Sequence, residues 1–262
     1  MCRLSCNYQL CEVFVLKGSE EFNSLSLVSE LKDIYKELSG VPGSRDAYVY
    51  VMNYLIKRFA EDTGIRLEYY LPELRDAGPV LEKLHRTLNK DRYDFKNAEI
   101  NNLLGFAYEN ILDKNARKRQ GLFYTPEKAI TALMERSLGN ADVLEKPFLK
   151  VLDPACGSGY FLPAAYDMLR RKFEKNSELL RAKYADDSFS VEAEVNNTTI
   201  KGEEYFKKEN IHYHIIKNCI YGADIDGFGA FFTKSSLISK SESHIRCKPN
   251  VLVCNSLIKW EK

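Results

Sequence analysis

The stretch that most constrains this chain is DPACGSGYFL (Asp153–Leu162), set between the apolar run FLKVLD and a hydrophobic helix. An acid, a proline and two closely spaced glycines directly after a buried strand demand a sharp turn. Gly157 and Gly159 remove side chains where a ligand must touch backbone, and they permit dihedrals that other residues resist. In an open parallel sheet, ligands bind beyond the carboxyl ends of the strands. Asp153 ends its strand, so its carboxylate lies at that rim. A dinucleotide-binding turn carries GxGxxG, whereas Tyr160, Phe161 and Leu162 follow Gly159 here. The acid suits a cationic or ammonium-bearing group better than a pyrophosphate held at a helix N-terminus.

The pattern around this turn is that of an α/β sheet. TPEKAITALMERSL predicts a helix with Thr125 as N-cap, Pro126 at the first helical position, and Ile130, Leu133, Met134 and Leu138 on one face. FLKVLD, CIYGAD and NVLVCN read as buried strands, separated by FLPAAYDMLRRKF and DGFGAFFTKSSLISK as crossover helices. Asp224 ends the second strand, in the position of acids that hydrogen-bond ribose hydroxyls. Asp226 reads as the N-cap of the next helix. The polar stretch Lys175–Gly202 lacks a stable period and reads as a surface insertion. His212 and His214, in IHYHII, read as helix-surface residues. Upstream, from Glu20 to Asn115, apolar residues recur three and four apart and predict helices broken at Pro42-Gly43, Pro72 and Gly78-Pro79. CEVFVLKG, near the start, reads as a short strand. The expected organisation is a helical region over 1–115, then a sheet domain over 116–262.

Bulk properties narrow the class further. The chain has 262 residues, 45% of them hydrophobic, enough for a sizeable core. No run approaches the ~20 apolar residues of a membrane span, and no signal peptide is evident, so a soluble, cytoplasmic protein is expected. The cysteines (Cys2, Cys6, Cys11, Cys156, Cys219, Cys247 and Cys254) form no CxxC pair, which fits reduced thiols and no metal site. The formal net charge of +1 lacks the basic excess expected of a protein that grips DNA unaided. The basic cluster Lys114, Arg117, Lys118 and Arg119 reads as a solvated face.

Three motifs carry a resemblance. DPACGSGYFL, GLFYTP (Gly121–Pro126) ahead of it and YGADID (Tyr221–Asp226) after it resemble the adenine-specific DNA methyltransferases of type I and type IIG restriction–modification systems. LLGFAYENIL (Leu103–Leu112) is similar to the helix that leads into GLFYTP in those enzymes. The resemblance implies a partial Rossmann-like, S-adenosylmethionine-dependent methyltransferase fold: a parallel sheet with flanking helices, preceded by a helical N-terminal region. It implies S-adenosylmethionine as cofactor and DNA as substrate. Asp153, Ala155 and the backbone of Gly157, Ser158 and Gly159 would then hold the methionine end. Asp224 would take the ribose hydroxyls, and Ile225 would pack near the adenine ring. Tyr124, Thr125 and Pro126 would close over the methionine carboxylate. Ile225 and Tyr124 read equally well as core residues.

Two departures from the family pattern stand out. The acid of the family's D-S-L triplet is replaced in Asn255-Ser256-Leu257; the Asn255 amide oxygen still suits the substrate adenine's amino group. The catalytic Asn/Asp-Pro-Pro-aromatic tetrapeptide is absent, so no catalytic residue is assigned. In a doubly wound sheet the first strand is central. Its other side is therefore expected to be an open edge here, to be covered by strands and a target-recognition region from the rest of an enzyme or from a partner subunit. The expected function is the cofactor-binding portion of an adenine-specific methyltransferase, inactive alone. Competing readings are a non-catalytic cofactor- or DNA-binding module left from a degenerate or split enzyme, and a nicotinamide-dependent oxidoreductase.

Overall fold

The computed structural model describes residues 24–42, 46–64, 74, 77–89, 92–96, 101–112, 125–192, 198–240 and 247–258. The expected strand at CEVFVLKG and the basic cluster at 114–119 lie outside the described residues. Among the described residues the first helices are α1 (Ser24–Ser39), α2 (Ala47–Thr63), α3 (Gly78–Thr87) and α4 (Phe106–Ile111), the last continuing a π turn over Asn101–Gly105. On α1, Leu27, Leu31, Ile34 and Leu38 fall on one stripe and are all buried. That stripe packs with Val51, Leu55 and Phe59 of α2, Leu84 of α3 and Tyr108 of α4. Arg58 ties α2 to the end of α3: its Nε donates to the Leu88 carbonyl (2.7 Å) while Asp62 balances its charge (3.0 Å).

The second part holds α5 (Glu127–Leu138), β1 (Val151–Asp153), α6 (Phe161–Lys183), β2 (Ser188–Val191), β3 (Thr198–Lys201), α7 (Gly202–Tyr205), α8 (Lys208–His214), β4 (Ile220–Asp224), α9 (Gly227–Ser239) and β5 (Asn250–Val253). The strands β1, β4 and β5 form a parallel sheet in the order β1-β4-β5. This is the expected α/β arrangement, with β1 at an edge among the described residues. In a ladder, register partners share a face. Ile220 and Val251 point to the side covered by α6 and α9 and are buried. Leu152 and Leu252 point to the other side and stay 65% and 61% exposed. The two parts share packing, since Phe232 of α9 belongs to the core of the first helices.

Three local expectations are corrected. Pro126, not Thr125, occupies the N-cap of α5, and it makes no side-chain cap bond. Its φ of −58° suits a helix, but its ψ of 140° is extended, so the helix starts one residue later than expected. Leu133, expected on the apolar face of that helix, is exposed. The described part of the Lys175–Gly202 stretch is not irregular. α6 continues to Lys183 because Leu162, Ala165, Leu169, Phe173, Ser177 and Leu180 extend one buried stripe. Beyond it β2 and β3 pair as an antiparallel hairpin, anchored by Phe189 stacked on Tyr205 at 4.4 Å.

The histidines are the third correction. His212 and His214 lie on α8 but are buried, because the helix is sandwiched between α6 and the aromatic residues at α7. His214 Nε2 meets the Pro147 carbonyl at 2.7 Å and Nδ1 meets the Tyr205 hydroxyl at 3.0 Å. A carbonyl only accepts, so Nε2 carries the proton and Nδ1 accepts from Tyr205. His212 Nδ1 pairs with the Tyr166 hydroxyl at 2.8 Å. Burial pushes both rings down to about 4, helped at His212 by the Arg170 charge and opposed at His214 by the Pro147 carbonyl.

An unfolded histidine takes its proton near pH 6.5. Between that pH and about 4 the unfolded chain binds more protons than the folded one, so stability falls as pH drops through this window. The expected loss at pH 5 is on the order of 2 kcal/mol per ring. Urea midpoints at pH 7.5 and 5 check this: the histidine part of the pH slope should be roughly halved in His214→Gln, where one ring remains.

Candidate functional site

Two strand ends meet at one rim. β1 ends at Asp153 and β4 at Asp224, in parallel register with Asp153 opposite Gly222. The turn after β1 is laced onto β4. The Cys156 N–H donates to the Ala223 carbonyl (2.9 Å), and the Gly157 N–H donates to Asp224 Oδ2 (2.8 Å). The other Asp224 oxygen, Oδ1, accepts from the Asp226 N–H at 2.8 Å. One carboxylate therefore holds the loops that follow both strands. β5 joins the same rim, where the Cys254 N–H donates to the Asp224 carbonyl at 2.7 Å.

Gly157 and Gly159 both adopt positive φ, 51° and 87°. They do so in different surroundings. A Cβ on Gly157 would meet nothing within 4 Å, so this glycine leaves open space beside the turn. A Cβ on Gly159 would lie 2.7 Å from Thr233 Oγ1 and 2.8 Å from Thr233 Cα, so this glycine lets α9 press against the turn. Thr233 Oγ1 also donates to the Gly157 carbonyl at 3.0 Å.

Asp153 has one satisfied oxygen and one orphan. Oδ1 accepts from the Ala155 N–H at 3.1 Å, while Oδ2 is shielded from solvent and has no hydrogen-bond partner among the described residues. Burial pushes the carboxyl upward, the Ala155 N–H pulls it back, and the Asp224 charge adds to the rise. Leaving a buried acceptor unmatched costs about 1–3 kcal/mol. A donor brought by a ligand would recover that cost, after a rotation of the carboxyl group that exposes Oδ2.

The other expected site residues divide clearly. Ala155 is exposed at the rim. Ile225 is 69% exposed, which rules out the core reading of that residue. Asn255 follows β5, and its Oδ1 accepts from the Leu257 N–H at 3.0 Å. Ser158 is buried, and its hydroxyl donates to Glu109 of α4. Asp226 caps α9 as expected, accepting from the Phe228 N–H (3.3 Å), and it also accepts from the Tyr108 hydroxyl. Thr125 and Pro126 sit at the start of α5, where the Pro126 carbonyl accepts from Ala129 and Ile130. Tyr124 lies outside the described residues. A cavity of about 330 Å³ lies beside Asp226, walled by Gly227, Phe228 and Phe231 of α9 and by Asn53 and Ile56 of α2.

Residue-by-residue reading missed Tyr108 and Glu109. Their signal is a tyrosine and an acid side by side in the otherwise apolar LLGFAYENIL.

Comparison with known proteins bears out the resemblance. Residues 99–204 match the N-6 DNA methylase family. The chain is 34% identical over 102 residues to the methylase subunit of the type I restriction enzyme EcoEI of Escherichia coli, covering 38% of this chain and 19% of that one. It is 28% identical over 171 residues to the methylase subunit of the type I restriction enzyme MjaIX of Methanocaldococcus jannaschii, covering 58% and 29% respectively. This chain thus matches less than a third of the length of either relative. Among solved structures it resembles the type IIL restriction–modification enzyme MmeI, determined in complex with DNA. The TM-score is 0.51 at 18% identity, over 89% of this chain and 40% of that one, which is a likeness of fold.

The two glycines should respond differently to alanine. Gly159→Ala combines a left-handed backbone with an overlap on Thr233 and should lower stability by at least about 2 kcal/mol. Gly157→Ala meets no neighbour and should cost about 1 kcal/mol. Urea denaturation of the two variants, with matched m-values, checks the difference.

Proposed function

From the match of residues 99–204 to the N-6 DNA methylase family, we propose that this chain is the cofactor-binding portion of an adenine-specific DNA methyltransferase of a restriction–modification system, with S-adenosylmethionine as methyl donor. The orphaned Asp153 Oδ2 carries this reading. It is an anionic acceptor without a donor, at the rim where the glycine turn leaves room beside Gly157. The ammonium of a methionine-like tail supplies such a donor. When bound, S-adenosylmethionine supplies a methyl group made electrophilic by its sulfonium.

The chain's own residues divide the binding. Asp153 takes the ammonium, and the backbone from Ala155 to Gly159 faces the methionine end. Asp224 keeps lone pairs beyond those given to Gly157 and Asp226, and these accept from ribose hydroxyls. Ile225, already exposed, offers an apolar surface to the adenine ring. Tyr124, Thr125 and Pro126 are assigned to the methionine carboxylate. Asn255, on the β5 side of the rim, is assigned to the substrate adenine. No residue of this chain is assigned to methyl transfer itself.

DNA is the proposed macromolecular substrate, engaged by the complete enzyme. The side of the sheet exposed at Leu152 and Leu252, and the edge of β1 left unpaired among the described residues, support a cover of further strands and a target-recognition region, from the same polypeptide or from a partner subunit. No helix among the described residues is long and apolar enough to cross a membrane. Cys156 and Cys219 are buried as free thiols, which supports a cytoplasmic setting.

Calorimetric titration tests the assignment. The chain should bind S-adenosylmethionine in preference to NAD. Asp153→Asn should weaken binding about ten-fold, since hydrogen bonds to charged groups exceed neutral ones by roughly 1–2 kcal/mol. Protonation of Asp153 removes the charge the ammonium needs. Binding to the parent chain should therefore weaken as pH falls, beginning at a higher pH than for an ordinary carboxylate. Asp153→Asn should lose that dependence. Preference for NAD, or equal affinity in the variant, would overturn the reading. Asp224→Ala should also lose affinity, but it releases Gly157 and Asp226 as well, so it is the less selective probe.

A further inference from the structure

The geometry points to Tyr108 and Glu109, adjacent residues of α4, as positioning residues that fix both cofactor-binding loops from outside the sheet domain. The inference rests on the reading that those two loops hold the cofactor. Neighbours on a helix project about 100° apart, so two successive side chains reach different targets. The Tyr108 hydroxyl donates to Asp226 Oδ2, in the loop after β4. Glu109 Oε1 accepts from the Ser158 hydroxyl, in the glycine turn after β1.

Together with Asp224 these bonds close a ring. Glu109 holds Ser158, whose neighbour Gly157 donates to Asp224 Oδ2. Asp224 Oδ1 accepts from Asp226, and Asp226 Oδ2 accepts from Tyr108, which adjoins Glu109. Neither loop can shift without breaking a member of this circuit. Tyr108, Ser158 and Glu109 are all buried, so water does not compete for their bonds.

The helix itself is held firmly. Tyr48 of α2 donates to the Tyr108 carbonyl at 3.1 Å, and the Tyr108 ring meets Phe232 edge-on at 5.4 Å. Backbone approach adds to this: a Cβ on Gly105 would lie 3.5 Å from Ser158 Cβ, so the π turn before α4 sits directly against the glycine turn. On its opposite side the turn is backed by α9 through Gly229 and Thr233. The helical region is thereby a working part of the cofactor site, although neither Tyr108 nor Glu109 is assigned a contact with ligand.

The test uses the full 262-residue chain and two measurements. Hydrogen exchange without ligand reads the loops directly. Tyr108→Phe, Ser158→Ala and Glu109→Ala should each raise amide exchange about ten-fold in residues 155–159, 225–229 or both, with protection in α6 unchanged. Titration with S-adenosylmethionine should show affinity falling about ten-fold in the same variants. Glu109→Gln keeps an oxygen that accepts from Ser158, and it should restore both readouts to within about three-fold of the parent. Tyr108→Phe and Ser158→Ala remove single hydroxyl groups and keep the test decisive if Glu109→Ala does not fold. Unchanged loop exchange, or exchange raised equally in α6, would overturn the positioning role. If the parent chain binds no S-adenosylmethionine, the proposed function fails, and the exchange measurement alone decides the role of Tyr108 and Glu109.

Discussion

The Asp224 carboxylate is the interaction on which the rest of the site depends. It stands at the end of β4 and receives N–H groups from two loops that come from different strands. Hydrogen bonds to an ionised acceptor are roughly twice as strong as neutral ones. With both oxygens occupied, the carboxylate fixes the separation of the glycine turn and the α9 cap. A sheet strand alone sets only where its last residue lies. The acid at its end converts that position into the geometry of a whole rim.

The two glycines of the turn work within this frame and are not interchangeable. Gly159 admits α9, which then returns Thr233 to the Gly157 carbonyl. Gly157 leaves open space, which the proposed ligand would use. The conformational cost of positive φ is shared by both, but the packing consequence belongs to one and the ligand consequence to the other. A turn of this kind serves two partners at once: the helix behind it and the molecule in front.

Much of this was legible before any coordinates. DPACGSGYFL carries its turn and helix in local chemistry, and CIYGAD reads as a short buried strand that ends in acids. The α/β arrangement followed from strands and helices at regular spacing. What escaped was set by tertiary packing. His212 and His214 are polar residues whose burial depends on Tyr166, Tyr205 and the Pro147 carbonyl, none of which is adjacent in sequence. The β2–β3 hairpin rests on Phe189 meeting Tyr205, a contact between segments that periodicity treats separately. Tyr108 and Glu109 were visible as a motif, but their targets lie over a hundred and about fifty residues downstream, respectively. Local rules assign such residues to a helix without saying what they hold. Thr125 shows the opposite limit: a favourable cap residue lost its place to the proline after it.

The ring that joins α4 to the rim gathers acids. Glu109, Asp153, Asp224 and Asp226 lie on adjoining segments, on a chain whose formal net charge is +1. Carboxylates gathered in this way concentrate a negative field at the rim. Fields of this kind draw small cations toward a recessed acidic rim and turn extended polyanions away from it. A cationic ligand of the kind proposed for this rim would be favoured there before any contact is made. Added salt, by screening that field, is expected to weaken the preference.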